Sequence, residues 1–234
     1  MKTRKVAVMQ PYFLPYIGYF HLIKAVDLFI VYDNIKYTKK GWVNRNRILR
    51  DGAAAMFSLP MKADSDSVDI RQRVLATDFT GDKLLRQLTG AYRRAPYFDD
   101  AMTLVHRLLE HEDRNLFGFL HHSIVETCRY LGLNTEIRIS SELGIDRSLA
   151  GKDKVLALCQ AVGATTYVNA IGGTELYSAA DFSAQGLELK FVKSRPCEYH
   201  QFGDVFVPWL SIVDVIMFNP KATVAAMLDG FDLT

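Results

Sequence analysis

Cysteine is scarce. Cys128, Cys159 and Cys197 are the three in the chain, far apart and with no CxxC spacing. An odd, scattered set points away from a disulfide framework and toward free thiols. Cys128 and Cys159 sit in apolar helical runs and read as packing residues. Cys197 lies in a polar stretch beside Glu198, Tyr199 and His200, where a reactive thiol is conceivable. Long hydrophobic runs are missing too: none approaches the ~20 apolar residues of a membrane span. The apolar run after the basic MKTRK start is cut by Gln10, Pro11 and Pro15, so it reads as a first strand, not a secretory signal. No membrane association is expected, and the cytoplasm is the default location. An excess of one charge is also lacking. The formal net charge of +2 is too small to argue for nucleic acid from the overall balance. GxSxG, GxGxxG and HExxH motifs are absent. The helical histidines His106, His111, His121 and His122 lack the spacing with an acid that a zinc site uses, so no metal is expected. The cofactor is left open.

What is present is a globular composition, 49% hydrophobic and 23% charged, in 234 residues, enough for a sizeable core. The expected organisation is a single α/β domain over 1–234, with residues 80–132 as a helical insertion or subdomain. Lys5 to Gln10 and Leu28 to Tyr32 read as buried strands, with a helix from Tyr19 to Ala25 between them. Pro11 and Pro15 keep the turn irregular. Ala53 to Pro60 and Val68 to Leu75 read as two more strands around a KADSDS turn. Helices follow over Thr80 to Arg94, Asp99 to His111 and Glu112 to Leu131. Thr135 to Ser140, Thr165 to Ile171 and Leu187 to Lys193 read as strands. Ser148 to Val162, Ser178 to Gln185, Leu210 to Phe218 and Lys221 to Leu228 read as helices.

Polar residues collect at the ends of those strands, where α/β ligand sites usually lie. They are Gln10, Asp33, Asn169 and Gln201, with the run from Lys36 to Arg50. That run interleaves Lys39, Lys40, Arg45, Arg47 and Arg50 with Tyr37, Trp42, Asn44 and Asn46. A solvated basic loop is the plain alternative. Trp42 and the paired asparagines suit anion binding and stacking better. Gly172 and Gly173 would let a ligand approach the backbone, a simple turn being the alternative. His21, Asp33 and His200 are the candidate proton carriers, though a lone helical histidine such as His21 is more often a packed residue. Asp214 is an acid in a strongly apolar helix, costly unless paired, and Ser211 sits at the start of that helix.

Five blocks of the sequence resemble a known family, the WbqC-like proteins of bacterial polysaccharide gene clusters. They are MQPYFLPYIGYF (Met9 to Phe20), VDLFIVYDNIKY (Val26 to Tyr37), GWVNRNRI (Gly41 to Ile48), YVNAIGGTELY (Tyr167 to Tyr177), and Tyr199–His200–Gln201 with FVPWLSIVDVIMFN (Phe206 to Asn219). Asn169 and Ala170 stand where Ser-Gly is expected. The resemblance brings Tyr12, Tyr16, Gly18 and Tyr177 into the candidate binding set. It implies an enzyme of O-antigen or related small-metabolite biosynthesis, read here as a transferase moving an acyl or aminoacyl group to an amine such as that of a nucleotide-linked amino sugar. Catalytic roles fall to His21, Asp33 and Asp214. The expected partners are a phosphate-bearing small molecule and an activated acyl donor. Nucleic acid is not expected unless a tRNA is the donor, and a homo-oligomer is left open. The implied fold is a Rossmann-like, mostly parallel sheet with a helical cap. A weaker similarity is to the HxGH region of HUP nucleotidyltransferases. Here Tyr16 and Tyr19 replace the two histidines and His21 is displaced, so the alternatives are a nucleotidyltransferase-like protein or a non-catalytic nucleotide-sugar binding module.

Overall fold

The computed structural model describes residues 3–65 and 67–234. Met1 and Lys2 of the basic start, and Asp66 of the expected KADSDS turn, lie outside the described residues. The fold grows from the first βαβ unit. Strand β1 (Lys5–Met9) and strand β2 (Leu28–Val31) are parallel, joined by helix α1 (Ile17–Lys24). Every residue of β2 is buried, as its unbroken apolar run requires of a strand covered on both faces.

The chain then leaves the sheet. Strands β3 (Arg45–Arg50) and β4 (Ala53–Ser58) form a separate antiparallel hairpin. Its turn residues, Asp51 and Gly52, have φ of 53° and 75°, the left-handed pair that a type I′ turn needs. The end of the expected basic loop is therefore a strand. Val68 to Leu75 is not one: Asp69 and Gln72 cap each other around a single 3-10 turn, and the local bonds displace a ladder. Three helices follow, α2 (Asp82–Tyr92), α3 (Phe98–Leu109) and α4 (Leu116–Leu131). Helix α4 starts later than its apolar pattern suggests, because Asn115 caps it by accepting from the Gly118 amide.

Strand β5 (Glu136–Ile139) re-enters the sheet beside β2. Helix α5 (Gly151–Ala161), strand β6 (Thr166–Ala170), helix α6 (Ala179–Ser183) and strand β7 (Glu188–Ser194) complete the parallel part. Helices α7 (Ile212–Phe218) and α8 (Lys221–Met227) lead to β8 (Phe231–Leu233), an antiparallel edge strand absent from the sequence reading. The strand order is β5-β2-β1-β6-β7-β8, so the architecture is α/β with a mostly parallel sheet. Alternation divides the side chains between two cores. Val6, Val8, Leu28, Ile30 and Tyr167 meet α5 and α6, while Ala7, Phe29, Val31, Val168 and Val192 meet the larger helical layer. Among the described residues, no helix is long and apolar enough to cross a membrane.

The turn after β1 is fixed from outside itself. Leu14 takes a left-handed φ of 44°. Its carbonyl accepts from Asn46 Nδ2 at 2.9 Å and from Ser211 Oγ at 2.7 Å. Asn46 also reaches the Phe13 carbonyl, and the Ile212 amide donates to Pro15. Hairpin and α7 thus clamp the first turn. Replacing Asn46 by Ala leaves two buried carbonyls short of a donor. Urea unfolding should show a loss of about 2 kcal/mol with an unchanged denaturant slope.

Candidate functional site

In the parallel sheet β1 lies between β2 and β6, and the connections leave it in opposite directions. The carboxyl ends of β1 and its neighbours therefore meet at a reversal of strand order, where a crevice for a ligand usually lies in such sheets. Asp33 follows β2 there and is buried. Its Oδ1 accepts from Ser140 Oγ at 2.7 Å and from the Ser141 amide at 3.0 Å. Its Oδ2 has no hydrogen-bond partner among the described residues, so half of the carboxylate is held and half is free to accept. Asn34 continues the cluster, its Oδ1 lying 2.8 Å from Ser140 Oγ.

Lys154, from the first half of α5, completes this corner. It is buried, donates to the Asn34 carbonyl at 2.8 Å, and lies 4.8 Å from the centre of the Tyr32 ring. Burial pushes its ammonium below the ordinary lysine pKa; Asp69 and Asp33 pull it back up, and Arg71 adds to the lowering. An acid and a softened amine within each other's field are suited to moving a proton. Sequence reading passed over Asn34, Ser140 and Lys154. The available signal was a lysine on the inward stripe of an amphipathic helix.

A second group gathers on the clamped turn. Tyr16 packs against Trp209 with ring centres 5.8 Å apart. Trp209 is 61% exposed yet holds a left-handed φ of 61°, and its carbonyl accepts from Arg47 Nη2 at 3.1 Å. Arg47 also sits 5.1 Å over Trp42, and its buried Nε has no hydrogen-bond partner among the described residues. Gly18 lies under the Tyr16 ring, which occupies the place of a Cβ there. Of the residues singled out from sequence, Tyr16, Gly18, Trp42, Asn46 and Ser211 meet around this turn. Arg47, already noted in the basic run, and Trp209, which was not in the candidate set, bridge them.

Other candidates are spent inside the fold. His21 is buried: Nε2 donates to the Met227 carbonyl at 3.0 Å, which makes Nδ1 the acceptor from Ser194 Oγ at 2.9 Å. Burial lowers its pKa, in keeping with a neutral packed ring. Asp214 accepts from Tyr92 and Tyr199 hydroxyls, each at 2.7 Å, and from Gln201 Nε2 at 2.8 Å. Gln201 is occupied again by both backbone groups of Val207. Tyr37 donates to Asn44, which donates to the Leu59 carbonyl. Arg45 reaches back to Gly41, while Lys40 is exposed.

At the β1 and β6 ends, the Gln10 carbonyl accepts from Tyr19, and Tyr12 packs on the Tyr19 ring at 5.6 Å. Asn169 accepts from the Ala170 amide, and its amide group fills the space where Gly173 would carry a Cβ. Among the described residues, a Cβ on Gly172 would meet nothing within 4 Å. Tyr177 packs edge-on to Tyr167 at 5.5 Å. Burial raises the Cys197 thiol, and holds Cys128 and Cys159 up at about 12. No group of three or more His, Cys, Asp or Glu gathers as a metal site among the described residues.

A family model, that of the WbqC-like protein family, matches residues 10–226. The chain is also similar to the uncharacterized protein Rv1507c of Mycobacterium tuberculosis, at 32% identity over 224 residues, covering 94% of this chain and 95% of that protein. No solved structure matches.

The Asp214 network carries a pH signature. Burial raises its carboxyl above the ordinary value, and the three donors pull against that rise. The folded chain then keeps this proton to higher pH than the unfolded chain does. Its stabilising effect is complete below the ordinary carboxylate pKa of about 4 and is lost as pH rises through the raised value. Compared with Asp214→Asn, the wild type should gain urea resistance as pH falls from about 7 to about 4, read from paired unfolding midpoints.

Proposed function

The chain belongs to the WbqC-like protein family, and on that premise we propose that it is a transferase that attaches an acyl or aminoacyl group to the amine of a phosphate-bearing small molecule. The substrate class is a nucleotide or nucleotide-linked amino sugar, in cell-surface polysaccharide or related small-metabolite synthesis. The fold reading behind it is Rossmann-like. Among the parallel strands, the order runs from the third to the first and then to the fourth and fifth, and supports a ligand at the β1–β6 reversal.

The observation that carries the proposal is Asp33, buried at the end of β2, with Oδ1 fixed, Oδ2 unpartnered among the described residues, and Lys154 within its field. As the amine nitrogen bonds to the acyl carbon, Oδ2 takes the proton the nitrogen sheds, and the donor's leaving group departs with the electron pair of the broken bond. Gln10, Asn169 and the Gly172–Gly173 backbone form the crevice's β1 and β6 sides. Arg47, with Trp42, Tyr16 and Trp209, supplies a cation and ring faces for phosphate and base. His21 and Asp214 take no proton-transfer role in this scheme, because their hydrogen-bonding capacity is used internally. That same economy favours a second reading, a nucleotide-sugar binding module without turnover.

Thermal melting with UDP-, GDP-, dTDP- and CMP-linked amino sugars separates the readings. A cognate ligand at a hundred times its Kd stabilises by about 2.7 kcal/mol, roughly a 5–10 °C rise for a chain of this size. Mass spectrometry with acyl-thioester and aminoacyl donors should then show the amide product. Asp33→Asn should keep most of the melting shift and lose at least about a hundredfold in rate. A melting shift without product in the wild type selects the binding module, and no shift with any ligand overturns both.

A further inference from the structure

A groove of about 1030 Å³ lies between the β3–β4 hairpin and α2, lined by none of the residues of the sheet crevice. Its charge is uneven. Arg50 comes from the hairpin, and Lys83, Arg86, Arg93 and Arg94 come from α2 and the residues just after it; Asp51 and Asp78 are the acids. The groove thus carries three net positive charges in a chain whose total is +2, so the overall balance conceals a local concentration. Arg50 is offset by Asp51 at 3.5 Å. The side chains of Lys83, Arg86 and Arg93 have no ion pair or hydrogen bond among the described residues, and all three residues are exposed.

The spacing selects the kind of anion. Lys83, near the start of α2, and Arg93, its C-cap, stand ten residues apart, about 15 Å along the helix axis. A nucleotide diphosphate, whose phosphorus atoms share one bridging oxygen, reaches one end of such a row and leaves the other unpaired. A polynucleotide presents a phosphate at every step. Gly90 sits in the middle of the row, exposed, and a Cβ there would meet nothing within 4 Å, so a strand can come close to the helix backbone. At the rim Phe202 is 39% exposed, with the Arg94 guanidinium 5.4 Å from its ring centre. A ring and a cation of that kind form a stacking platform for a base.

We propose that this groove binds a single-stranded segment of polynucleotide, its phosphates along α2 and a base on Phe202. The assignment stands apart from the transferase reading of the sheet crevice, and either can fail alone.

Fluorescence anisotropy of the full chain with a labelled mixed-sequence 12-nucleotide RNA, titrated across salt, tests it. The expected result is saturable binding whose log–log salt slope is near −3 for four phosphate contacts, at about −0.7 each. The double variant Arg86→Glu, Arg93→Glu should bind at least about tenfold more weakly and flatten that slope by roughly 1.4. Gly90→Glu should also weaken binding; it adds a charge over open space and favours the helix, so its circular dichroism should match the wild type and its melting temperature should equal or exceed it. Absence of saturable binding at low salt overturns the proposal. So does RNA affinity unaltered in both variants. So does displacement of RNA by UDP at equal phosphate concentration, which would mark a small-nucleotide site, or equal affinity for polyglutamate, which would mark a general polyanion surface.

Discussion

The fold depends on one carbonyl. Leu14 sits in the left-handed region, between two prolines, where the chain has no regular hydrogen-bond partner of its own. Its oxygen is held by Asn46 from the hairpin and Ser211 from the start of α7. Three segments far apart in sequence are joined there. A buried carbonyl at a strained position would otherwise cost stability. The partners offset that cost and in doing so set the register of β3. With Asn46 turned inward, Arg47 points to Trp42 and the Trp209 carbonyl, and the Leu49 amide meets Tyr92. Tyr92 then donates to Asp214, which also gathers Tyr199 and Gln201. A chain of hydrogen bonds runs from the first turn into the core of α7.

This arrangement sorts the polar residues by what they have left to offer. Burying a charge is costly unless its partners replace water. Asp214 has three such partners and His21 has both ring nitrogens engaged, so each serves the packing around it. Among the described residues Asp33 is satisfied on one oxygen only, and burial lowers the pKa of Lys154, which lies within its field. Asp33 lies at the carboxyl end of a parallel strand, while Asp214 lies inside α7, within the larger helical layer. The basic groove on the far side of the hairpin shares β3 with the clamp, so its outer wall is positioned by the same bonds.

Much of the architecture was legible in the sequence. The runs Val6–Val8 and Leu28–Val31 are apolar without interruption, as strands buried on both faces must be, and the prolines after the first mark the turn. Arg45 to Arg50 was illegible as a strand because its charged residues stay at the surface of a hairpin outside the main sheet. Asp51–Gly52 was the missed signal, a dipeptide that takes two left-handed residues in succession. Val68 to Leu75 misled in the other direction: its alternation is genuine, but Asp69 and Gln72 prefer to bond each other. At the candidate site, Asp33 could be singled out because it closes an apolar strand. Lys154 was passed over, since a lysine in an amphipathic helix normally faces water; its place on the inward stripe was the available signal, and the contacts with Asn34 and Tyr32 bury it. Trp209 looked like an apolar residue of the α7 lead-in, and its exposure follows from a backbone conformation that sequence does not announce.

The most direct test of the clamp is a double-mutant cycle on Asn46→Ala and Ser211→Ala, followed by urea unfolding. Both side chains donate to the same Leu14 oxygen, so the loss of one changes what the other contributes. The account predicts a coupling between about 0.5 and 3 kcal/mol. Losses that add to within about 0.3 kcal/mol would contradict it and would make the two bonds independent local contacts.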